Sequence, residues 1–94
     1  MVRMLMTINI SKGFKVWSKM AKSLEPEMNE VGAKMIWAGA NPEESAVFVV
    51  IEMKDPSQIK TFGERPDIAK RREDAGADVS STTMISPIGD HFVG

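Results

Sequence analysis

Few side chains in this 94-residue chain can do chemistry, and those few are far apart. His91 is the one histidine and follows Asp90 near the C-terminus. As a metal ligand it would need two or three converging partners, and none is spaced to join it. As a general base it would need a substrate within hydrogen-bond reach. A solvated tail side chain is the plainer reading. Ser80, Ser81, Thr82 and Thr83 offer hydroxyls, but no Asp–His pair stands ready to activate one, and there is no nucleophile elbow. The chain has no cysteine, which excludes disulfides, thiolate catalysis and Cys-based metal sites. Gly13, Gly32, Gly39, Gly63 and Gly76 are scattered, with no GxGxxG or GK[ST] phosphate loop. The residues therefore name no catalytic group, and neither a metal nor a cofactor is expected.

Residues suited to recognition are easier to find. Thr7, Asn9, Trp37, Phe48 and Glu52 fall in strand-like segments, and a few polar groups on an apolar wall are what orients a small ligand. With His91 they form the candidate ligand-binding set. Against this, Trp37 could simply be core and Asn9 could end a strand. Lys70, Arg71 and Arg72 make a basic run followed by Glu73 and Asp74. Mixed signs suggest a solvated helix face, and an anion clamp at Arg65 and Arg72 is the functional alternative. The eight methionines fit an adaptable binding surface, or more simply gap-filling in the core.

These residues need elements to hold them. Val2, Met4, Met6, Ile8 and Ile10 alternate with other residues and predict a first strand. Ser11 is a candidate N-cap for a helix whose stripe is Phe14, Trp17, Met20, Leu24, Met28 and Val31. Pro26 should kink or break that helix, and Gly32 should end it. Ala33–Ala40 predicts a second strand, residues 41–45 a turn, and Ala46–Met53 the strongest strand of the chain. Asp55, Pro56 and Gln58 mark a helix start, with Gln58 placed to reach back as in a capping box. Gly63 and Pro66 interrupt that helix, and a short one is expected over Pro66–Ala75, stopped by Gly76. Asp78 to Ile88 predicts the fourth strand, and Asp90–Gly94 a tail.

The order is strand, helix, strand, strand, helix, strand, within a single domain over residues 1–94. Two split βαβ units of this kind give an α+β ferredoxin-like βαββαβ sandwich, an antiparallel four-stranded sheet with helices on one face. The strand 46–53 is apolar on both faces: Val47, Val49, Ile51 and Met53 on one, Ala46, Phe48 and Val50 on the other. Helices can cover only one. A second copy is the simplest cover for the other, so a homodimer is expected.

Hydrophobic content is 43%, charge 27% and net charge −1, which suits a folded domain and gives no broad attraction to nucleic acid or an anionic membrane. An RNA-binding sheet would need further aromatics in a basic segment, and the third strand has only Phe48. The first ten residues are apolar but interrupted by Arg3, Thr7 and Asn9, unlike a signal peptide or a membrane span. A cytoplasmic location is the expectation.

The stretch VFVVIEMKDPSQIKTFGERPDIAKRRE, from Val47 to Glu73, resembles the dimeric α/β-barrel superfamily, near its antibiotic-biosynthesis-type monooxygenases. Those enzymes have a comparable apolar strand, an acid near its end and a helix with a central proline, which match Glu52 and Pro66. They carry histidines around the helix break, where this chain has Phe62-Gly63-Glu64-Arg65-Pro66-Asp67. Residues Phe14–Gly39 are also similar to small bacterial members with no assigned activity. The resemblance implies a homodimer that binds a small aromatic or apolar molecule, as a cofactor-independent oxygenase or isomerase. The alternative is a non-catalytic binding, regulatory or dimerisation module.

Overall fold

A computed structural model describes all residues, Met1–Gly94. Its elements run β1 (Val2–Asn9), α1 (Phe14–Ser23), α2 (Glu25–Glu30), β2 (Ala33–Ala40), β3 (Ala46–Met53), α3 (Pro56–Glu64), α4 (Pro66–Asp74), a 3-10 turn (Val79–Ser81) and β4 (Thr83–Pro87). The four strands form one antiparallel sheet in the order β2-β3-β1-β4. This is the ferredoxin-like α+β arrangement, with each predicted helix split in two.

Alternation dictates the packing. Met4, Met6 and Ile8 from β1 and Val47, Val49, Ile51 and Met53 from β3 all enter a core cluster of 17 residues. Trp17, Ala21, Leu24 and Met28 enter it from the first helix pair, and Ile59, Phe62 and Ile68 from the second. Each buried Val, Leu, Ile, Met or Phe among them contributes about 1.5–3 kcal/mol by leaving water, which outweighs the weak local propensities of the short helices. No polar or charged residue is buried.

The helix boundaries have local causes. Pro26 lacks the amide that a continuous helix needs, so α1 ends and α2 starts at Leu24. Asp55 caps α3, its Oδ1 accepting from the Ser57 amide at 3.0 Å and the Ser57 hydroxyl at 2.8 Å. Gln58 contributes only its amide, donated to the Asp55 carbonyl at 3.1 Å. At Arg65 the backbone leaves the helical region, as expected before Pro66, and α4 begins.

Two expectations are corrected, and one open alternative is decided. Ser11 does not cap α1. The helix starts after Gly13, whose φ of 86° suits only glycine, and Glu44 Oε1 accepts from the Phe14 amide at 2.8 Å instead. Glu44 itself sits at φ 54°, in the β2–β3 turn organised by Asn41 Oδ1, which accepts from the Ser45 and Ala46 amides at 2.9 and 3.0 Å. Next, β4 begins at Thr83 and not at Asp78. Residues 79–81 turn instead, and Ser81 Oγ accepts from the Asn9 amide at 2.9 Å. Serine side chains compete for backbone partners in this way and shorten strands. The alternative that Trp37 is core is excluded. The β2–β3 register shifts between Met35 and Trp37, so Met35 pairs with Ile51 on the helix side while Trp37 pairs with Val50 on the other. The extra residue, Ile36, is a bulge that reverses the facing of everything after it.

Candidate functional site

The open face of the sheet carries five of the six sequence candidates. Across the strands from β4 to β2, one row reads Thr83, Thr7, Phe48, Gly39, and the next reads Ser86, Leu5, Val50, Trp37. A third row sets Arg3 and Lys34 on either side of Glu52, and Arg3 Nε lies 3.2 Å from Glu52 Oε2. Asn9 stands at the end of β1 opposite Ala46 and is exposed. Trp37 is 56% exposed and Phe48 38%, so the apolar middle of this face is bare in the single chain. The indole of Trp37 lies against Gly39, where an added Cβ would come 2.8 Å from Cη2. His91 is exposed in the tail beyond β4.

None of these six residues lines the main apolar cavity of the chain. That cavity lies on the other side of the sheet, between the sheet and the helices, with a volume of about 650 Å³. Its floor includes Met6, Val49 and Ile51, its roof Trp17, Met28, Ile59 and Phe62, and 15 of its 23 lining residues are apolar. The size and lining are typical of sites for small ligands. Five of the eight methionines line it: Met6, Met20, Met28, Met35 and Met84. Flexible thioethers suit an irregular apolar wall, and the high methionine content was the sequence signal for it. The exposed lining residues Lys60, Glu64, Glu73, Ser80 and Thr83 put its mouth between the α3–α4 corner and the edge beside β4.

The basic residues around α4 have three different fates. Arg65 forks onto Asp67, with Nη2 and Nε donating at 2.8 and 3.0 Å, and its guanidinium sits 5.5 Å from the Phe62 ring. This hydrogen bonding holds the Asp67 carboxyl down at about 2 and raises Arg65. Arg71 turns toward the first helix pair. It donates to Glu27 Oε1 and to the Ser23 carbonyl and hydroxyl, each at 2.9 Å. The Arg71 hydrogen bond lowers Glu27, whose Oε2 is shielded and has no partner. Arg72 faces the cavity. Its Nη1 donates to the Gly63 carbonyl at 3.0 Å and its Nη2 to the Thr82 hydroxyl. Desolvation lowers its pKa, against the attraction of Glu73. Arg65 and Arg72 therefore do not act as one clamp, because Arg65 is already occupied by Asp67.

The lining holds no histidine and no cysteine. Ser80 Oγ donates to Asp78 at 2.6 Å, an arrangement that orders a turn, with no imidazole to take the proton. No cluster of three or more His, Cys, Asp or Glu residues converges to hold a metal ion. No helix is long and apolar enough to cross a membrane.

Fold and site together define a ferredoxin-like α+β domain with an apolar cavity beneath its helices and a bare apolar sheet face behind it. No protein-family model, curated protein or solved structure matches the chain.

Proposed function

We propose that this protein is a small-molecule-binding homodimer that holds an apolar ligand in the helix–sheet cavity of each copy. The observation that carries the reading is the 650 Å³ apolar cavity itself. A domain this small can ill spare packing density, because each unfilled volume in a core forfeits contacts. Space retained under those conditions is accounted for by an occupant.

The open face supports the second half of the reading. Trp37, Phe48, Val50 and Leu5 form an apolar centre bordered by Arg3, Glu52 and Lys34. A two-fold axis through such a patch sets its charges of both signs against their counterparts on the other copy. Thr7, Asn9, Trp37, Phe48 and Glu52 then serve chiefly in this interface. The likeness to dimeric α/β-barrel proteins points the same way. Binding is the favoured activity over oxygenase or isomerase chemistry, because the lining presents no evident base beside a nucleophile.

Two measurements test the reading. Sedimentation equilibrium at micromolar concentration should give twice the mass of one chain, and a clean monomer removes the dimer. Methyl-13C-methionine NMR with added decanol should shift Met6, Met20, Met28, Met35 and Met84 and leave Met1 in place. No response at those five methyls removes the cavity as a binding site.

A further inference from the structure

Four charged side chains line the cavity, and only Arg72 is half-buried, whereas Lys60, Glu64 and Glu73 are exposed. The ion pairs of the chain are Arg3–Glu52, Arg65–Asp67, Lys70–Asp74 and Arg71–Glu27, so Arg72 has no carboxylate partner. Both its hydrogen bonds go to neutral acceptors, Gly63 carbonyl and Thr82 hydroxyl. A guanidinium has five N–H donors in a planar fork that fits a carboxylate, and it stays protonated at any ordinary pH. A cation drawn out of water without a counter-charge is costly, and a ligand anion relieves that cost.

The cradle is shaped for this residue. An added Cβ at Gly63 would come 3.0 Å from Arg72 Nη1, so the absence of a side chain there lets the guanidinium lie across the end of α3. The two bonds anchor the outer nitrogens and leave further N–H groups free. Glu64 and Glu73 at the rim disfavour a highly charged ligand, while a single negative charge matches the single half-buried cation.

We propose that the cavity takes a hydrophobic monocarboxylate, its carboxylate on the guanidinium of Arg72 and its hydrocarbon body among Met20, Met28, Ile59, Phe62 and Met84. This rests on the cavity being a ligand site and adds the chemical class of the ligand. Arg72 is the specificity-determining residue, because an apolar wall alone cannot tell an acid from an alcohol of the same length.

The test compares decanoate with decanol, both below micellar concentration, on methyl-13C-methionine protein. Decanoate should bind about tenfold tighter or more, as a charge-assisted pair replaces a neutral one. Arg72→Met should bring decanoate down to the decanol level and leave decanol unchanged. In the wild-type protein the Arg72 15Nε resonance should move with decanoate and stay still with decanol, which keeps the test decisive if the variant does not fold. Equal binding of acid and alcohol by the wild type, a still Nε resonance, or a preference that survives in Arg72→Met overturns the assignment. If decanol still binds, the cavity reading survives that failure. If neither compound shifts the cavity methyls, both fall together.

Discussion

Neighbouring residues of β3 occupy opposite worlds. Val49 is fully enclosed on the helix side, at 0% exposure, while Val50 is half-buried on the open side between Leu5 and Trp37. Both faces of the strand are apolar in sequence, yet only one is closed within a single chain. The closed face contains the cavity and the cation that looks into it. The open face contains aromatics and a charged border. A doubly apolar strand thus marks two distinct surfaces: a closed one that holds the cavity, and an open one that bears most of the polar and aromatic side chains singled out in the sequence.

The sharpest way to break this contrast is to put the same charge on each face. Val49→Asp should unfold the chain. An ionised carboxylate in that core has no partner, and its cost of several kcal/mol or more competes with a total stability of only about 5–15 kcal/mol. Val50→Asp should keep its circular dichroism and instead sediment as a monomer. The reverse result, a folded Val49→Asp or an unfolded Val50→Asp, would show that the two faces are misassigned.

The parts of this picture legible in the sequence are those governed by local rules. The β1 and β3 alternation, the Asp55 cap and the breaks at Pro26 and Pro66 need only neighbours within a few residues. What escaped depends on long-range geometry. Glu44 caps a helix 30 residues away, and no motif records that pairing. The bulge at Ile36 adds one residue to β2 and so moves Trp37 from the core side to the open side, where strict alternation with Ala33 and Met35 would not place it. The cavity residues were legible as apolar positions, but whether facing side chains meet or leave a gap depends on how far the helices stand off the sheet. Arg65, Arg71 and Arg72 look alike in sequence, and only their partners separate them.

A smaller perturbation sharpens the comparison by acting on the closed face alone. Gly63→Ala places a methyl against Arg72 Nη1 and should tilt the guanidinium out of its cradle. Alanine is also the better helix former, so thermal stability should hold or rise by up to about 1 kcal/mol. Decanoate binding should weaken roughly threefold to tenfold, the scale of one impaired charge-assisted hydrogen bond. The mass found by sedimentation should match that of the wild type. Unaltered decanoate affinity alongside raised stability would mean that the position of Arg72 does not matter to the ligand.

The gentlest lever is pH at the α3–α4 corner. Hydrogen bonding to Arg65 holds Asp67 at about 2, below the ordinary aspartate value of about 3.9. A carboxyl depressed in the folded state contributes stability that is complete above its unfolded value and is lost as pH falls through its folded one. The pair should therefore hold at neutral pH and weaken between about pH 4 and pH 2. The pair is exposed, so the consequence is local. Carboxyl-13C NMR should place the Asp67 midpoint near 2, and Arg65→Gln should return it toward the ordinary value. Because Arg65 also lies over the Phe62 ring, which lines the cavity, the Phe62 ring resonances should follow the same titration while those of Phe48 on the open face do not. If Phe62 stays still as Asp67 titrates, Pro66 and the fully buried Ile68 hold that cavity wall without the ion pair. The corner is then fixed by packing and backbone geometry alone, and the contrast between the two faces owes nothing to surface charge.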